Sequence, residues 1–582
     1  IFDYNTYMKK ISLLILTFLL ASCSDTNEPK AVSVKLNEND AGDDLKLLRK
    51  DFQEQVLNPY PDVFVVVGFG LANSILIKGD KEDIIIDTMG GIETAERVIK
   101  EFNEVSENTK KTVIYTHFHA DHTLGARAFT SNFDVTNVVS HRTTIQEIEN
   151  FFGIKRDIIG PRSLKMFNSI LKDADQGITN GIGIKLEAGR DQPGYVKPTM
   201  VFDEKMSLEI GGNKVDLYHA PGETDDQIFI WFEEGKVLFP GDNIYKAFPN
   251  IYTIRGTTYR SFRSWYQSIE KMMALEPEIL VPSHGIPIEG AANVMNILTL
   301  YRDAIKYVHD QTMRNLNNGL SPLQAARAVE LPESLKSDPH LYELYGTVEW
   351  SSRNLFNGYF GWFDGNPTNL FPKDSVERAN KLINLISLDK LSAELTQSVA
   401  SGDHQWTLYL TDILINSGNS SQEIVDVRSR ALDALGDQSY NPNARSYYKS
   451  SYAELAGELN SSSFIDEDNE IQDSALAELS PIMFLDVASI RLDPAKVDLQ
   501  DLNTTMYLSD LDEYWHLRIN NNVFSYKVVN DVDSPDIIFE SIIFKKLMTS
   551  NIEPITGILL SNRNATGENK RNFLEFVANF RE

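Results

Sequence analysis

The chain has 582 residues, with 55 Lys plus Arg against 83 Asp plus Glu, a formal net charge of −28 and a single cysteine. A hydrophobic fraction of 42% beside 24% charged residues excludes wholesale disorder, and the length allows about three to five domains. The acidic balance excludes a nucleic-acid-binding protein, which needs a basic footprint, and one cysteine excludes a disulfide framework or a cysteine-rich metal site, so metal chemistry must use His, Asp and Glu.

In chain order, Met8-Lys9-Lys10 precedes the apolar run Ile11–Leu20 and the small residues Ala21-Ser22 before Cys23. A short basic region and a short apolar run mark a secretory signal, and the run is too short for a permanent membrane helix. Leu20-Ala21-Ser22-Cys23 resembles a bacterial lipobox. That resemblance implies a lipoprotein signal peptide over 8–23 with Cys23 as the lipidated residue. It also implies an exported lipoprotein, periplasmic or anchored at the outer membrane. The polar stretch 24–46 reads as a tether.

Val63–Val67, Ser74–Ile77 and Asp83–Asp87 read as strands, Ile92–Asn103 as a helix and Thr112–Thr116 as a buried strand. A second set of strands runs from about Lys214 to Leu238, and alternating strands and helices predict an α/β layered domain over 47–290. From 291 to 459 the pattern is helical, at Val294–His309, Pro322–Val329, Asp374–Ile386 and Gln422–Leu435, interrupted by Gly358–Pro372. Asn460–Asp473 is a polar linker. Residues 474–582 form a smaller α+β unit: strands at Asn503–Leu508, Tyr514–Asn520 and Asn522–Val528, then helices at Ile537–Met548 and Lys570–Asn579. Met483–Leu485 and Trp515–Ile519 read as ordinary core.

The densest chemistry is Thr116-His117-Phe118-His119-Ala120-Asp121-His122, at the carboxyl end of a buried strand, where α/β folds place ligand sites. Three imidazoles and a carboxylate in six residues are costly to bury unless something binds them. The donor set suits zinc, with manganese and iron also compatible.

This H-x-H-x-D-H run resembles the metallo-β-lactamase superfamily. So do Asp87-Thr88, His219-Ala220-Pro221-Gly222-Glu223, Pro240-Gly241-Asp242 and Pro282-Ser283-His284. The resemblance implies an αββα sandwich with one metal site of His117, His119 and Glu223, a second of Asp121, His122 and His284, and Asp242 bridging. It implies two zinc ions, or another divalent metal. His219 reads equally as a donor to a ligand or as a packed histidine. His141, His309, His340, His404 and His516 read as structural.

Glu223, where most of the superfamily has histidine, resembles one branch, the bacterial alkyl sulfatases, which carry a second acid 19 residues later, here Asp242. Asn250-Ile251-Tyr252-Thr253-Ile254-Arg255-Gly256 matches their sulfate-holding segment, which implies Asn250 and Arg255 as substrate-binding residues, with Asp121, Asp242 and Arg255 catalytic. Gly358–Pro367 resembles their helical dimerisation unit, and the C-terminal unit their sterol-carrier-like domain. The implied activity is hydrolysis of alkyl sulfate esters to alcohol and sulfate by metal-activated water, in a homodimer tethered by its lipid anchor. The alternatives are a hydrolase of another ester, a lactone or a phosphodiester, and a non-catalytic amphiphile-binding lipoprotein. Two departures stand out: Asp242 replaces the family's bridging glutamate, and Phe167-Asn168 replaces a Tyr-Gly pair. Lys165 reads as lying on a solvated helix face.

Overall fold

In the computed structural model, the structure describes residues 49–169, 179–184, 191–458, 473–495, 502–530, 532, 535–549, 573 and 577. The signal peptide, Cys23, the tether and the linker 460–472 lie outside the described residues. So does the helix expected at Lys570–Asn579, save Phe573 and Val577, both buried.

Two sheets form the heart of the first unit. The seven-stranded sheet runs in sequence order, β1 Gln55–Tyr60, β2 Val63–Val67, β3 Ser74–Ile77, β4 Glu82–Ile86, β5 Lys110–Ile114, β6 Asp134–His141 and β7 Met200–Phe202. β1 to β4 pair antiparallel, and β4 to β7 pair parallel. The six-stranded sheet contains β8 Lys205–Ile210, β9 Asn213–His219, β10 Ile228–Phe232, β11 Val237–Phe239, β12 Ile279–Leu280 and β13 Ile288–Glu289. The second set of strands therefore begins at Lys205, earlier than expected, because β8 carries only alternate half-buried side chains and shows no apolar run.

Alternation along the strands explains the layering. Val63, Val65, Ile75, Ile84 and Ile86 of the first sheet meet Val215, Leu217, Ile228, Ile230 and Phe239 of the second in one core. The opposite faces take helices. Val66, Leu76, Ile85 and Val113 pack on the helix Ile92–Val105 through Ala95, Val98, Ile99 and Phe102. Phe229, Trp231 and Leu238 pack on the helix Phe262–Met273 and on Ala291–Asn317. Both sheets are buried on both faces, so their central strands read as continuous apolar runs. This is the αββα sandwich.

Helices follow through Val348–Phe360, Ser375–Ile386, Leu388–Ser401, His404–Asn416, Gln422–Gln438 and Pro442–Leu455. The last unit places helices Asp473–Glu478 and Pro481–Arg491 beside a sheet of β14 Leu502–Leu508, β15 Glu513–Asn520, β16 Val523–Val529 and β17 Ile537–Phe539, in the order β16-β15-β14-β17. Here the expected helix over Ile537–Met548 divides. Ile537–Phe539 joins β14 as a parallel strand, and only Ser541–Met548 is helical. Met483, Phe484, Leu485, Trp515, Leu517 and Ile519 are buried core. Among the described residues no helix is long and apolar enough to cross a membrane.

Candidate metal centre

The site grows from the carboxyl edge of the parallel strands. β5 ends at Ile114, and Tyr115–His119 lead into a single helical turn, Ala120–Thr123. Asp87, just past β4, lies alongside. Its buried carboxylate accepts from Thr116 N at 2.8 Å, Thr116 Oγ1 at 2.9 Å, His122 Nδ1 at 2.8 Å and Ser283 Oγ at 3.0 Å. Those donors meet the desolvation cost of the charge. They also tie the His122 turn to the His284 loop.

Hydrogen-bond accounting fixes which ring nitrogen faces inward. His117 Nδ1 is 3.0 Å from Thr116 Oγ1, whose own hydrogen goes to Asp87. Nδ1–H is therefore the donor, and Nε2 keeps its lone pair. His284 Nδ1 donates to the Leu71 carbonyl at 2.9 Å. His122 Nδ1 donates to Asp87. All three rings thus present Nε2 to the centre, the orientation that outer partners impose on metal-binding histidines. His117 Nε2 and His119 Nδ1 converge to 2.8 Å. The other nitrogen of His119, Nε2, lies 2.9 Å from Arg255 Nη2.

The acids arrive on separate loops. Glu223 follows Gly222, where any Cβ would sit 2.0 Å from Asn243 Oδ1. That close approach lets Asn243 accept from Glu223 N at 3.1 Å and donate to the Ala220 carbonyl at 2.8 Å, which fixes the loop. Asp242 Oδ2 lies 3.1 Å from His284 Nε2, 3.5 Å from His122 Nε2 and 3.7 Å from His117 Nε2, between the two groups. Asp121 Oδ2 is 3.4 Å from His122 Nε2 and 3.6 Å from His284 Nε2. His117, His119, Glu223 and Asp242 form one group able to hold an ion, and Asp121, His122 and His284 form another.

The donor chemistry fits divalent cations. Among the described residues, buried Glu223 Oε2, Asp242 Oδ1 and His122 Nε2 find no hydrogen-bond partner, an arrangement too costly to keep unless a cation takes those lone pairs. Burial pushes His117 down to about 3, helped by repulsion from His122, so its imidazole is neutral as a ligand must be. Burial also lowers His119, with His117 and Arg255 acting the same way. Burial alone would lower His122 too, but Asp242, Asp121 and Asp87 override it and raise it. Burial pushes Glu223 up to about 8 against the opposing pull of Arg260.

A cavity of about 370 Å³ opens over this floor. Its polar floor includes His119, Asp121, Asp242 and Arg255; its walls are Phe151, Phe152, Ile159, Leu164, Phe167 and Ile182. The guanidinium carbon of Arg255 lies 5.4 Å from the Phe151 ring centroid. Arg162 Nη2 donates to the Ile254 carbonyl at 2.8 Å and so anchors the segment bearing Arg255.

The structure brings together all seven residues expected as ligands, with Arg255 against them. Asn250 is in the same loop but fully buried, and it is not among the residues lining the cavity. Among the described residues its side-chain nitrogen and oxygen find no partner. Lys165 departs from expectation: it pairs with Glu454 of the helical unit instead of lying in solvent. His219 stacks on His141 at 3.9 Å and meets the Asp225 carbonyl at 2.7 Å, a packing role away from the ligands. Asn168 has φ 56° at the end of the helix Arg156–Met166, a left-handed position that asparagine tolerates nearly as glycine does. Sequence reasoning missed Arg260, which is 2% exposed and donates to Glu223 Oε1 at 2.7 Å and to the Asn250 carbonyl at 2.5 Å. The available signal was the buried acid itself, which demands a nearby cation.

An αββα sandwich with a paired His/Asp/Glu cluster at its strand ends defines a metallo-β-lactamase-fold metal-binding protein. Residues 67–284 match the metallo-beta-lactamase superfamily, 321–458 the alkyl sulfatase dimerisation domain and 469–549 the alkyl sulfatase C-terminal domain. A linear primary-alkylsulfatase of Pseudomonas sp. is 31% identical over 78% of this chain and 88% of its own length. An alkyl/aryl-sulfatase of Saccharomyces cerevisiae is 24% identical over 80% of this chain and 73% of its own. The solved stereoselective inverting sec-alkylsulfatase of Pseudomonas sp. shares the fold, with a TM-score of 0.83 at 22% identity over 94% of this chain and 88% of that one. The chain belongs to the alkyl sulfatase family.

Proposed function

We propose that the chain hydrolyses alkyl sulfate esters to alcohol and sulfate, with His117, His119 and Glu223 holding one divalent ion, Asp121, His122 and His284 a second, and Asp242 between them. The observation that carries this reading is Arg255, a buried guanidinium in contact with a ligand-type histidine at the floor of an apolar-walled cavity. Two divalent ions supply an activated water near neutral pH and charge stabilisation for the departing sulfate. The chain's own residues do the rest. Arg255 offers a planar fork to sulfate oxygens. The aromatic and aliphatic wall takes the alkyl chain and keeps bulk water from it. Thr116, Asp87 and the Leu71 carbonyl hold three imidazoles in the orientation that leaves Nε2 free.

Zinc is the ion this nitrogen and oxygen set supports best. Exposed Trp362, Phe371 and Leu385 in the dimerisation unit, at 71%, 95% and 82%, support a homodimer. The lipobox at Leu20–Cys23 supports an exported lipoprotein anchored through Cys23, periplasmic or at the outer membrane. The test is purified protein with dodecyl sulfate, following released sulfate with and without chelator. Absence of chelator-sensitive sulfate release across a series of chain lengths rejects the reading.

A further inference from the structure

A glutamate at position 223 poses an electrostatic problem that a histidine there does not. It adds a negative charge to a buried ligand set that already holds Asp121 and Asp242. Arg260 stands directly behind it. The two side chains are 1% and 2% exposed, and the Nη1–Oε1 distance is 2.7 Å. The contact engages one carboxylate oxygen, whereas Oε2 is buried beside His117, His119 and Asp242 with no hydrogen-bond partner among the described residues. The same Nη1 also donates to the Asn250 carbonyl at 2.5 Å, at the start of the segment that bears Arg255.

Resting on the two-ion reading above, we propose that Arg260 is a positioning and charge-balancing residue that makes Glu223 the electrical and geometric equivalent of a neutral histidine. The guanidinium occupies Oε1, so Glu223 offers a single oxygen, as an imidazole offers a single nitrogen. It also cancels the added negative charge, so only Asp121 and Asp242 offset two divalent ions and the floor beneath the cavity stays positive. An anionic ester therefore meets a site no less attractive than one built with histidine. The Asn250 carbonyl contact links the ligand loop to the anion-holding loop, so one buried cation sets both.

The proposal makes a reciprocal prediction. Glu223→His alone leaves a buried guanidinium without its acid beside two cations. It weakens uptake of one divalent ion by at least about tenfold. Glu223→His with Arg260→Met removes both charges and restores two ions per chain. The readouts are metal stoichiometry after dialysis and zinc affinity against a competing chelator, with circular dichroism reporting the fold. Equal zinc binding by the single and double variants overturns the proposal. As a second arm, Arg260→Lys keeps inorganic sulfate binding near wild type and Arg260→Met weakens it several-fold by calorimetry; equal values for the two also overturn it. Wild type that takes up no divalent ion rejects the two-ion reading instead, which separates the two failures.

Discussion

Arg255→Ala tests the sulfate assignment most directly. The guanidinium has five N–H donors. Among the described residues Nη2 lies 2.9 Å from His119 Nε2, and Nη1 makes a long contact of 3.4 Å to the Gly256 carbonyl. That leaves donors for two sulfate oxygens in the cavity it lines. Hydrogen bonds involving a charged group contribute about 1.5–3 kcal/mol each, so losing two costs about 3–6 kcal/mol, roughly 150- to 25,000-fold in kcat/KM. The 7% exposure of Arg255 means solvent does little to screen the loss. The assay is initial-rate sulfate release from dodecyl sulfate, with metal content measured on the same sample because Arg255 also touches His119. Arg255→Lys, which keeps the charge but not the fork, recovers about tenfold of the loss. A fully metallated Arg255→Ala variant within threefold of wild type refutes the assignment. So does an equal loss on a neutral carboxylic ester.

Three further outcomes follow. Asp87→Ala removes the acceptor shared by Thr116, His122 and Ser283, and lowers zinc affinity about 10- to 100-fold in a chelator competition. Phe167→Ala strips part of the apolar wall and lowers kcat/KM on dodecyl sulfate about tenfold or more while sparing butyl sulfate, read by comparing the two substrates. Asp226 is pushed by burial from the usual 3.8 up to about 7, against the Thr224 and Thr144 hydroxyls. Its folded form keeps a proton that the unfolded chain has released, so its contribution to stability is full below about pH 4 and lost as pH rises through about 7. Asp226→Asn therefore unfolds like wild type at pH 4 and at a higher temperature than wild type at pH 8.

What the sequence revealed followed the strength of local patterning. β2, β3 and β4 were legible because both faces of each sheet are buried, giving unbroken Val and Ile runs. β8 was not, since half of its side chains face solvent. Ile537–Phe539 read as the first turn of a helix because three apolar residues suit either state, and only pairing with β14 decides. Four of the seven ligand-type residues fall within His117–His122 and were legible as a cluster. Glu223, Asp242 and His284 were reached only through resemblance, since spacing alone does not show that three distant loops meet. Arg260 escaped because a basic residue two positions past Thr257-Thr258 resembles any surface cation. Its role exists only once the fold sets it against Glu223 at 2.7 Å.

The helical unit is part of the site's construction and not merely an appendage to it. Phe248 exchanges backbone hydrogen bonds with Tyr342 and Gly346, and Asn354 Nδ2 donates to the Ile251 carbonyl at 3.1 Å. Those contacts bracket Asn250 and brace the segment that ends at Arg255, which Arg162 also holds through the Ile254 carbonyl. Gly346 has no room for a side chain there, since a Cβ would lie 2.0 Å from the Pro249 carbonyl. A loop held at both the Ile251 and the Ile254 carbonyls gives Arg255 little freedom, and a preorganised guanidinium loses less entropy when it binds an anion. This bears on the net charge of −28. A strongly negative surface repels an anionic ester at long range, but salt screens exposed charges beyond about 8–10 Å. The balance at short range then rests on Arg255, 2.9 Å from His119, and Arg260, 2.7 Å from Glu223, both against the ligand-type cluster.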